Sequence, residues 1–320
     1  MVMDRSRTIT ANCRSSFRNF IIIGCSLLLG FYIGSFKETE PITKSLSSPA
    51  NIIDTTQLIT TNMTCVKTKE LFNLYKSTIC IHNSGDIVST TIAREHIWEE
   101  DYIVRLLRIL IRNPHLDMID IGGNIGSYTM FTAGALGRFT ITIDCFKPNI
   151  ERIARAVQIE NVHNRAVIVH NALYSKSGEY IKLSQENPSG LQLRDETQMD
   201  STNQYIVKTI RFDDLLPILI QRNVRSAIIK IDIEGSEVYL LESGMKVFEQ
   251  IDIQLVMMEW GHGLRKTYEK RYEKIVHYFK IWNYITTDVQ CNVLDSENWR
   301  TSWPGNIYWI KKVNFKQNIC

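Results

Sequence analysis

Two short runs in the carboxy-terminal half carry side chains able to handle a proton. Asp232-Ile233-Glu234-Gly235 separates two carboxylates by one apolar residue, and strand alternation directs both to one face. Glu259-Trp260-Gly261-His262 adds a third carboxylate and an imidazole. A carboxylate orients a hydroxyl and shares its proton. A neutral imidazole near pH 7 takes that proton as the oxygen attacks, which makes His262 the candidate general base. Structural roles compete: Asp232 or Glu237 would also cap the helix that follows, and for Glu237 that role is preferred.

A cofactor site is indicated further back. Met118 to Ile121 is an apolar run broken by Asp120. It leads into Gly122-Gly123-Asn124-Ile125-Gly126, and an amphipathic segment continues from Ile125 to Leu136. This is how a buried parallel strand hands over to a helix. Glycine permits the sharp turn and leaves no side chain between main chain and ligand, while the helix start offers unpaired N–H groups. The spacing Asp-x-Gly-x-Asn-x-Gly departs from the dinucleotide fingerprint Gly-x-Gly-x-x-Gly, so a nucleoside-bearing cofactor suits it better than a pyrophosphate. Alone, such a turn also fits an ordinary tight connection in an α/β protein.

Three stretches agree and occur in a telling order: Asp120 to Gly126, Cys145-Phe146-Lys147-Pro148-Asn149, and Ile229-Lys230-Ile231-Asp232-Ile233-Glu234-Gly235-Ser236-Glu237. Together they resemble the FkbM-type family of S-adenosylmethionine-dependent methyltransferases, over roughly residues 94–260. The resemblance implies an α/β class I methyltransferase fold, Rossmann-like, with a seven-stranded sheet and helices on both faces. It also implies transfer of a methyl group to a hydroxyl oxygen, with S-adenosylmethionine as cofactor. The cofactor-facing set would be Asp120, Gly122, Asn124, Gly126 and Tyr128 around the first turn, Lys147 after the second strand and Asn171 after the third. The acceptor side would hold Asp232, Glu234, Glu259 and His262.

Lys147 departs from the family pattern, which places a ribose-binding glutamate just before the proline. A hydrogen bond to a charged group is worth roughly 1.5 to 3 kcal/mol, so its loss weakens cofactor binding by about 10- to 100-fold. Asp144 lies three residues earlier, and alternation points it to the opposite face from Lys147.

The elements that must position these residues alternate along the chain. Strands are expected at Met118 to Ile121, Phe139 to Phe146, Ala166 to His170, Ala227 to Ile233 and Gln254 to Trp260, with closing strands at Tyr284 to Gln290 and Asn306 to Lys311. Helices are expected over Ile97 to Ile111 and near Ile125, Ile150, Asp213, Ser236 and Tyr268. Such alternation argues for a parallel sheet, whose ligands bind beyond the carboxyl ends of the strands. The polar run Gln185 to Gln204 reads as a substrate lid or a solvated insertion.

Ahead of this domain, assigned to 91–320, come three segments. Residues 1–18 read as a cytoplasmic tail with Arg5, Arg7, Arg14 and Arg18. Asn19 to Phe36, 19–36, is an uncharged stretch of eighteen residues, near the lower limit for a signal-anchor helix; a cleaved signal peptide is the rival reading, against which the bulky Phe31-Tyr32-Ile33 argues. Residues 37–90 read as a lumenal stem, with a glycosylation acceptor at Asn62-Met63-Thr64. Beyond the span, 33 basic and 33 acidic residues remain, so the +3 charge belongs to the tail and nothing suggests nucleic acid as a partner. Five of the seven cysteines follow the span; Cys65 with Cys80 is the first candidate bridge, against the alternative that all five are free. No Cys-x-x-Cys or His-x-x-x-His spacing occurs, which argues against structural zinc, and no metal is expected.

The leading expectation is a membrane-anchored, lumen-facing O-methyltransferase acting on a glycan or glycoconjugate. A non-catalytic or weakened relative, on account of Lys147, is the second. A secretory glycosyltransferase holding a metal-bound nucleotide sugar at Asp232-x-Glu234 is the third.

Overall fold

The computed structural model describes residues 48–57, 59, 62–83, 85–184, 191–197, 203–316 and 319. The tail and membrane span expected over 1–18 and 19–36 lie outside the described residues. Among the described residues no helix is long and apolar enough to cross a membrane.

In chain order the strands are β1 (Cys65–Lys67), β2 (Thr78–Cys80), β3 (Leu116–Ile121), β4 (Thr140–Asp144), β5 (Ala166–His170), β6 (Ala172–Leu173), β7 (Tyr180–Leu183), β8 (Leu193–Thr197), β9 (Ile206–Ile210), β10 (Ser226–Ile231), β11 (Asp252–Glu259), β12 (Tyr284–Thr287) and β13 (Asn306–Lys311). Seven of them form the main sheet in the order β12-β13-β11-β10-β3-β4-β5. Each of the seven runs expected as strands supplies one. The five central and outer strands β11, β10, β3, β4 and β5 are parallel, and β13 joins β11 and β12 antiparallel. The chain winds outward from β3 through β4 to β5, then returns to the other side of β3 with β10. The order reverses between β3 and β10, which is where an open α/β sheet leaves a crevice for ligand.

Alternation sends successive strand residues to opposite faces. Ile119, Ile121, Ile229 and Ile231 pack with Leu215, Leu219, Leu240 and Phe279 from the helical segments Phe212–Gln221, Val238–Glu242 and Glu269–Ile281. Met118, Ile228, Leu255 and Met257 pack on the other face with Ile103, Leu106, Leu107 and Leu110 of helix Glu100–Arg112. Helix Lys147–Glu160 covers the β4–β5 end through Ile150, Ile153, Ala154 and Val157. Helices therefore lie on both faces, as the class I pattern requires.

The stem expected over 37–90 does not run that far as a separate element. Asn51, Ile52 and Ile53 pair with the outer edge of β5: His170 N donates to Asn51 O at 2.9 Å, and Ile53 N donates to Ile168 O at 2.9 Å. An exposed sheet edge presents unpaired N–H and C=O groups, and this segment satisfies them. β1 and β2 then pair antiparallel with Cys65 opposite Cys80, and these two cysteines are joined by a disulfide. Ile79 and Cys80 are buried against helix Lys147–Glu160. Cys291 is disulfide-bonded too, and Cys145 is the free cysteine among the described residues.

The polar run expected as a loop over 185–204 contains β8, which pairs antiparallel with β7 in a second sheet of order β6-β9-β7-β8. The apolar alternation Leu191, Leu193 inside that run is what gives it a buried face.

Candidate active site

The glycine turn after β3 is built by two neighbours. Gly122 N and Gly123 N both donate to Ile143 O of β4, at 2.9 and 3.0 Å, and Gly126 N closes back on Gly123 O at 2.8 Å. Gly122, Asn124 and Gly126 all adopt positive φ, of 79°, 49° and 90°. A Cβ on Gly122 would stand 1.8 Å from the Asp232 carbonyl oxygen. Glycine is thus required here because the turn presses against the end of β10, in addition to its backbone angle. Asn124 tolerates the left-handed angle by accepting Ile125 N on its own Oδ1, at 2.7 Å.

These turns border a cavity of about 380 Å³ beyond the carboxyl ends of β3, β4 and β10. Of the residues expected to face a cofactor, Gly122, Asn124, Tyr128 and Asn171 line it. Gly126 does not; it packs on Ile153. Asp120 does not either: it is buried, accepts Thr129 Oγ1 at 2.6 Å, and lies beside Lys230 in the parallel register of β3 and β10. Asn171 reaches the wall, but its Oδ1 accepts Asn51 N at 2.7 Å and its Nδ2 donates to Lys208 O at 2.9 Å, so its amide ties the scaffold.

Lys147 is the clearest correction. Residue 147 begins helix Lys147–Glu160, with Pro148 beside it, and its ammonium extends into solvent, 3.9 Å from Glu151 one helical turn on. The acid at the end of the second parallel strand is Asp144. It lines the cavity, accepts Asn124 N at 2.9 Å on Oδ2, and accepts Phe146 N at 2.8 Å on Oδ1. Strand β4 ends at Asp144, so alternation no longer holds between it and Lys147, and the opposite-face argument fails. Burial pushes the Asp144 carboxyl up to about 6, against the hydrogen bonds that lower it.

The acceptor-side residues converge. Asp232, Glu234 and Glu259 line the cavity where β10 and β11 end. Lys230 Nζ sits 3.1 Å from Asp232 Oδ2 and 5.1 Å from the centre of the Tyr128 ring. Burial works against both charges. Even so, Lys230 and the hydrogen bonds from Glu259 and Lys230 hold Asp232 below its ordinary value. Lys230 is held above its own by Asp232, Asp120 and Glu99. Glu259 goes the other way: burial first, then the Asp232 charge and their shared hydrogen bond, push it up to about 10. The two carboxyls therefore share a proton, which burial and the Asp232 charge favour on Glu259.

Glu234 has a φ of 56° and is aimed by two contacts. His262 Nε2 lies 2.7 Å from its Oε2. Buried Glu237 accepts Ile233 N and Gly235 N on Oε1, at 3.1 and 3.2 Å, and so fixes the turn that carries it. Glu237 is structural, but not through the cap expected from the sequence: its carboxylate makes no cap hydrogen bond to the helix that follows and holds the turn before it. His262 is buried behind Glu234 and Glu259 and does not line the cavity.

Sequence reasoning missed Glu99, Ser127 and Lys230. Lys230 shares a face with Asp232 by alternation, so the pattern was available. Glu99 accepts Tyr128 OH at 2.8 Å and lines the cavity from the start of helix Glu100–Arg112, a placement no local pattern carries. Ser127 lines the cavity with a buried, unpartnered hydroxyl.

The site fits a cationic, nucleoside-bearing cofactor. Glu99, Asp144, Asp232 and Glu234 line it against one lysine, Lys230, so a positively charged occupant is favoured. Ser127 Oγ supplies a polar group awaiting a partner.

No curated protein matches the chain. Among solved structures, it is similar to an O-methyltransferase from Bacillus cereus in complex with SAH, at 11% identity and a TM-score of 0.38, covering 67% of this chain and 82% of that one. It is also similar to a methyltransferase from Geobacter sulfurreducens, at 14% identity and a TM-score of 0.33, covering 69% and 85%. At these scores the likeness is distant. The sequence model of the Methyltransferase FkbM domain matches residues 120–286. That span is more than half of the chain and takes in the glycine turn, Asp144, Asp232, Glu234 and Glu259, so the chain belongs to the FkbM family of S-adenosylmethionine-dependent methyltransferases.

Proposed function

We propose that the chain methylates a hydroxyl oxygen, on a glycan or glycoconjugate, in the lumen of the secretory pathway. The observation that carries the reading is the convergence of Asp232, Glu234 and Glu259 on the cavity beside the Gly122 turn. S-adenosylmethionine, when bound, supplies an electrophilic methyl group on a sulfonium. Asp144, Asn124 and Ser127 would hold the polar parts of that cofactor, and the excess of carboxylates favours its positive charge.

The remaining work belongs to the chain's own side chains. Ionised Asp232 accepts a hydrogen bond from the incoming hydroxyl and so orients its oxygen. Glu234, held by His262 and by the turn that Glu237 fixes, would receive the proton that the hydroxyl gives up. Alignment of the reacting atoms contributes more than proton transfer in such a displacement. Trp98, in the cavity wall, offers a flat apolar face of the kind a sugar ring packs against.

The lumenal placement is supported by the Cys65–Cys80 disulfide, by the disulfide-bonded Cys291, and by an exposed Asn62 in its acceptor tripeptide. The uncharged stretch 19–36 would be the anchor.

The test is transfer of label from methyl-labelled S-adenosylmethionine to a panel of free-hydroxyl glycans by the full chain. Label in an ether linkage, lost in Asp232→Asn, supports the reading. Label appearing only on amines, or on no acceptor, sinks it. An endoglycosidase shift that disappears in Asn62→Gln tests the lumenal topology separately.

A further inference from the structure

We propose that Glu234, Glu259 and His262 form a binding site for a divalent first-row transition-metal ion at the rim of the methyl-transfer cavity. The inference deepens the reading of that cavity as an acceptor site and rests on it.

The three side chains come from the ends of two adjacent parallel strands, and one ligand atom from each lies within 4.8 Å of the others. His262 Nε2 is 2.7 Å from Glu234 Oε2 and 3.9 Å from Glu259 Oε2. An ion with bonds of about 2.1 Å sets neighbouring donors about 3.0 to 3.4 Å apart. The first distance therefore opens slightly and the second closes slightly, both within side-chain reach.

Two independent features point the same way. Glu259 Oε2 is buried without a hydrogen-bond partner, although it faces the imidazole. A buried carboxyl oxygen without a partner has room for one, and a bound ion would displace the proton that Glu259 shares with Asp232. The imidazole, in turn, is buried with its Nδ1 also unpartnered. Facing the Glu234 carboxylate at 2.7 Å, Nε2 carries the ring proton in the absence of an ion; the unpartnered Nδ1 can hold that proton instead, which frees the Nε2 lone pair for a metal.

The donor set decides the kind of ion. One imidazole nitrogen with two carboxylates suits manganese, iron or zinc, whereas magnesium prefers oxygen alone. Three protein ligands leave open positions, and Glu234 and Glu259 both face the cavity, so those positions point where an acceptor's oxygens arrive. An acceptor presenting two neighbouring hydroxyls, a vicinal diol of a sugar or a catechol, would fill them. A single isolated hydroxyl would not.

The probe is Mn2+, followed by loss of the free-ion paramagnetic resonance signal and by calorimetry on the metal-stripped full chain. His262→Asn, Glu259→Gln and Glu234→Gln are titrated alongside. S-adenosylmethionine is titrated into the same samples. One Mn2+ per chain is expected, with affinity falling more than about tenfold in each variant while His262→Asn keeps the parent's S-adenosylmethionine affinity. Absence of Mn2+ binding by a chain that binds S-adenosylmethionine overturns the site. So does Mn2+ binding undiminished in all three variants. Mn2+ binding lost in the variants by a chain that fails to bind S-adenosylmethionine would uphold the metal site and remove the methyl-transfer reading instead.

Discussion

Tyr272 donates its hydroxyl to Glu237 Oε2 at 2.7 Å, while the other oxygen of Glu237 accepts the N–H groups of Ile233 and Gly235. A residue on helix Glu269–Ile281 thereby fixes the turn that carries Glu234 to the cavity. Tyr272→Phe leaves a buried carboxylate short of one donor, at a cost of about 1 to 3 kcal/mol in urea unfolding. Activity should fall through kcat, because the loosened turn misplaces Glu234, while S-adenosylmethionine binding by calorimetry stays within about twofold. A variant with unchanged kcat would show that the turn needs no such support.

Asp144 and Lys147 make opposite predictions from those of the sequence alone. Asp144→Ala removes the cavity carboxylate that also holds Asn124 N, and should weaken S-adenosylmethionine binding by about 10- to 100-fold. Lys147→Glu changes a solvated side chain and should move the affinity by less than about threefold. Restoration of tighter binding by Lys147→Glu would return the ribose contact to residue 147.

Gly122→Ala places a methyl group into the Asp232 carbonyl at a backbone angle unfavourable to alanine. Strain of about 1 to 3 kcal/mol is expected from the angle alone, with the clash added to it. The melting temperature should drop and cofactor binding should weaken more than about tenfold. Gly178→Ala, also at positive φ but with nothing within 4 Å of the new methyl, isolates the angle from the clash.

Burial pushes Asp117 up to about 6, against the Arg138 charge and a backbone hydrogen bond from Phe139. The folded chain then binds that proton more tightly than the unfolded chain. Between about pH 4 and pH 6 the unfolded state is the less protonated, and stability falls as pH rises. Asp117→Asn removes the penalty and keeps an acceptor for Phe139. Because the carboxyl is partly solvated, the gain is modest: a melting temperature about 2 °C higher at pH 7.5, and unchanged at pH 4. An equal gain at both values would exclude ionisation as its origin.

Reduction of Cys65–Cys80 reopens a loop of 15 residues, worth about 3 kcal/mol in the chain-entropy account. Cys65→Ser with Cys80→Ser should therefore lower stability by about that amount and detach β1 from β2, leaving the Gly122 turn intact. Cofactor affinity unchanged alongside lower stability is the expected pair of results.

The sequence by itself determined the sheet and the chemistry it carries. The five parallel strands were legible because buried parallel strands read as apolar runs whatever surrounds them, the two closing strands as further extended runs, and the glycine turn because its glycines follow such a run and open an amphipathic segment. Asp232, Glu234, Glu259 and His262 were legible as strand-end residues. What tertiary structure decided was which of these side chains face a common space. Alternation counts residues only while a strand lasts, so it misplaced Asp144 relative to Lys147 once β4 ended at Asp144 and a helix began. It could not bring Glu99 from a distant helix to Tyr128, pair Asn51–Ile53 with the edge of β5, or set His262 behind Glu234, because those contacts join residues far apart in the chain. Local pattern fixes the direction of a backbone, and only packing between elements fixes what lies across from it.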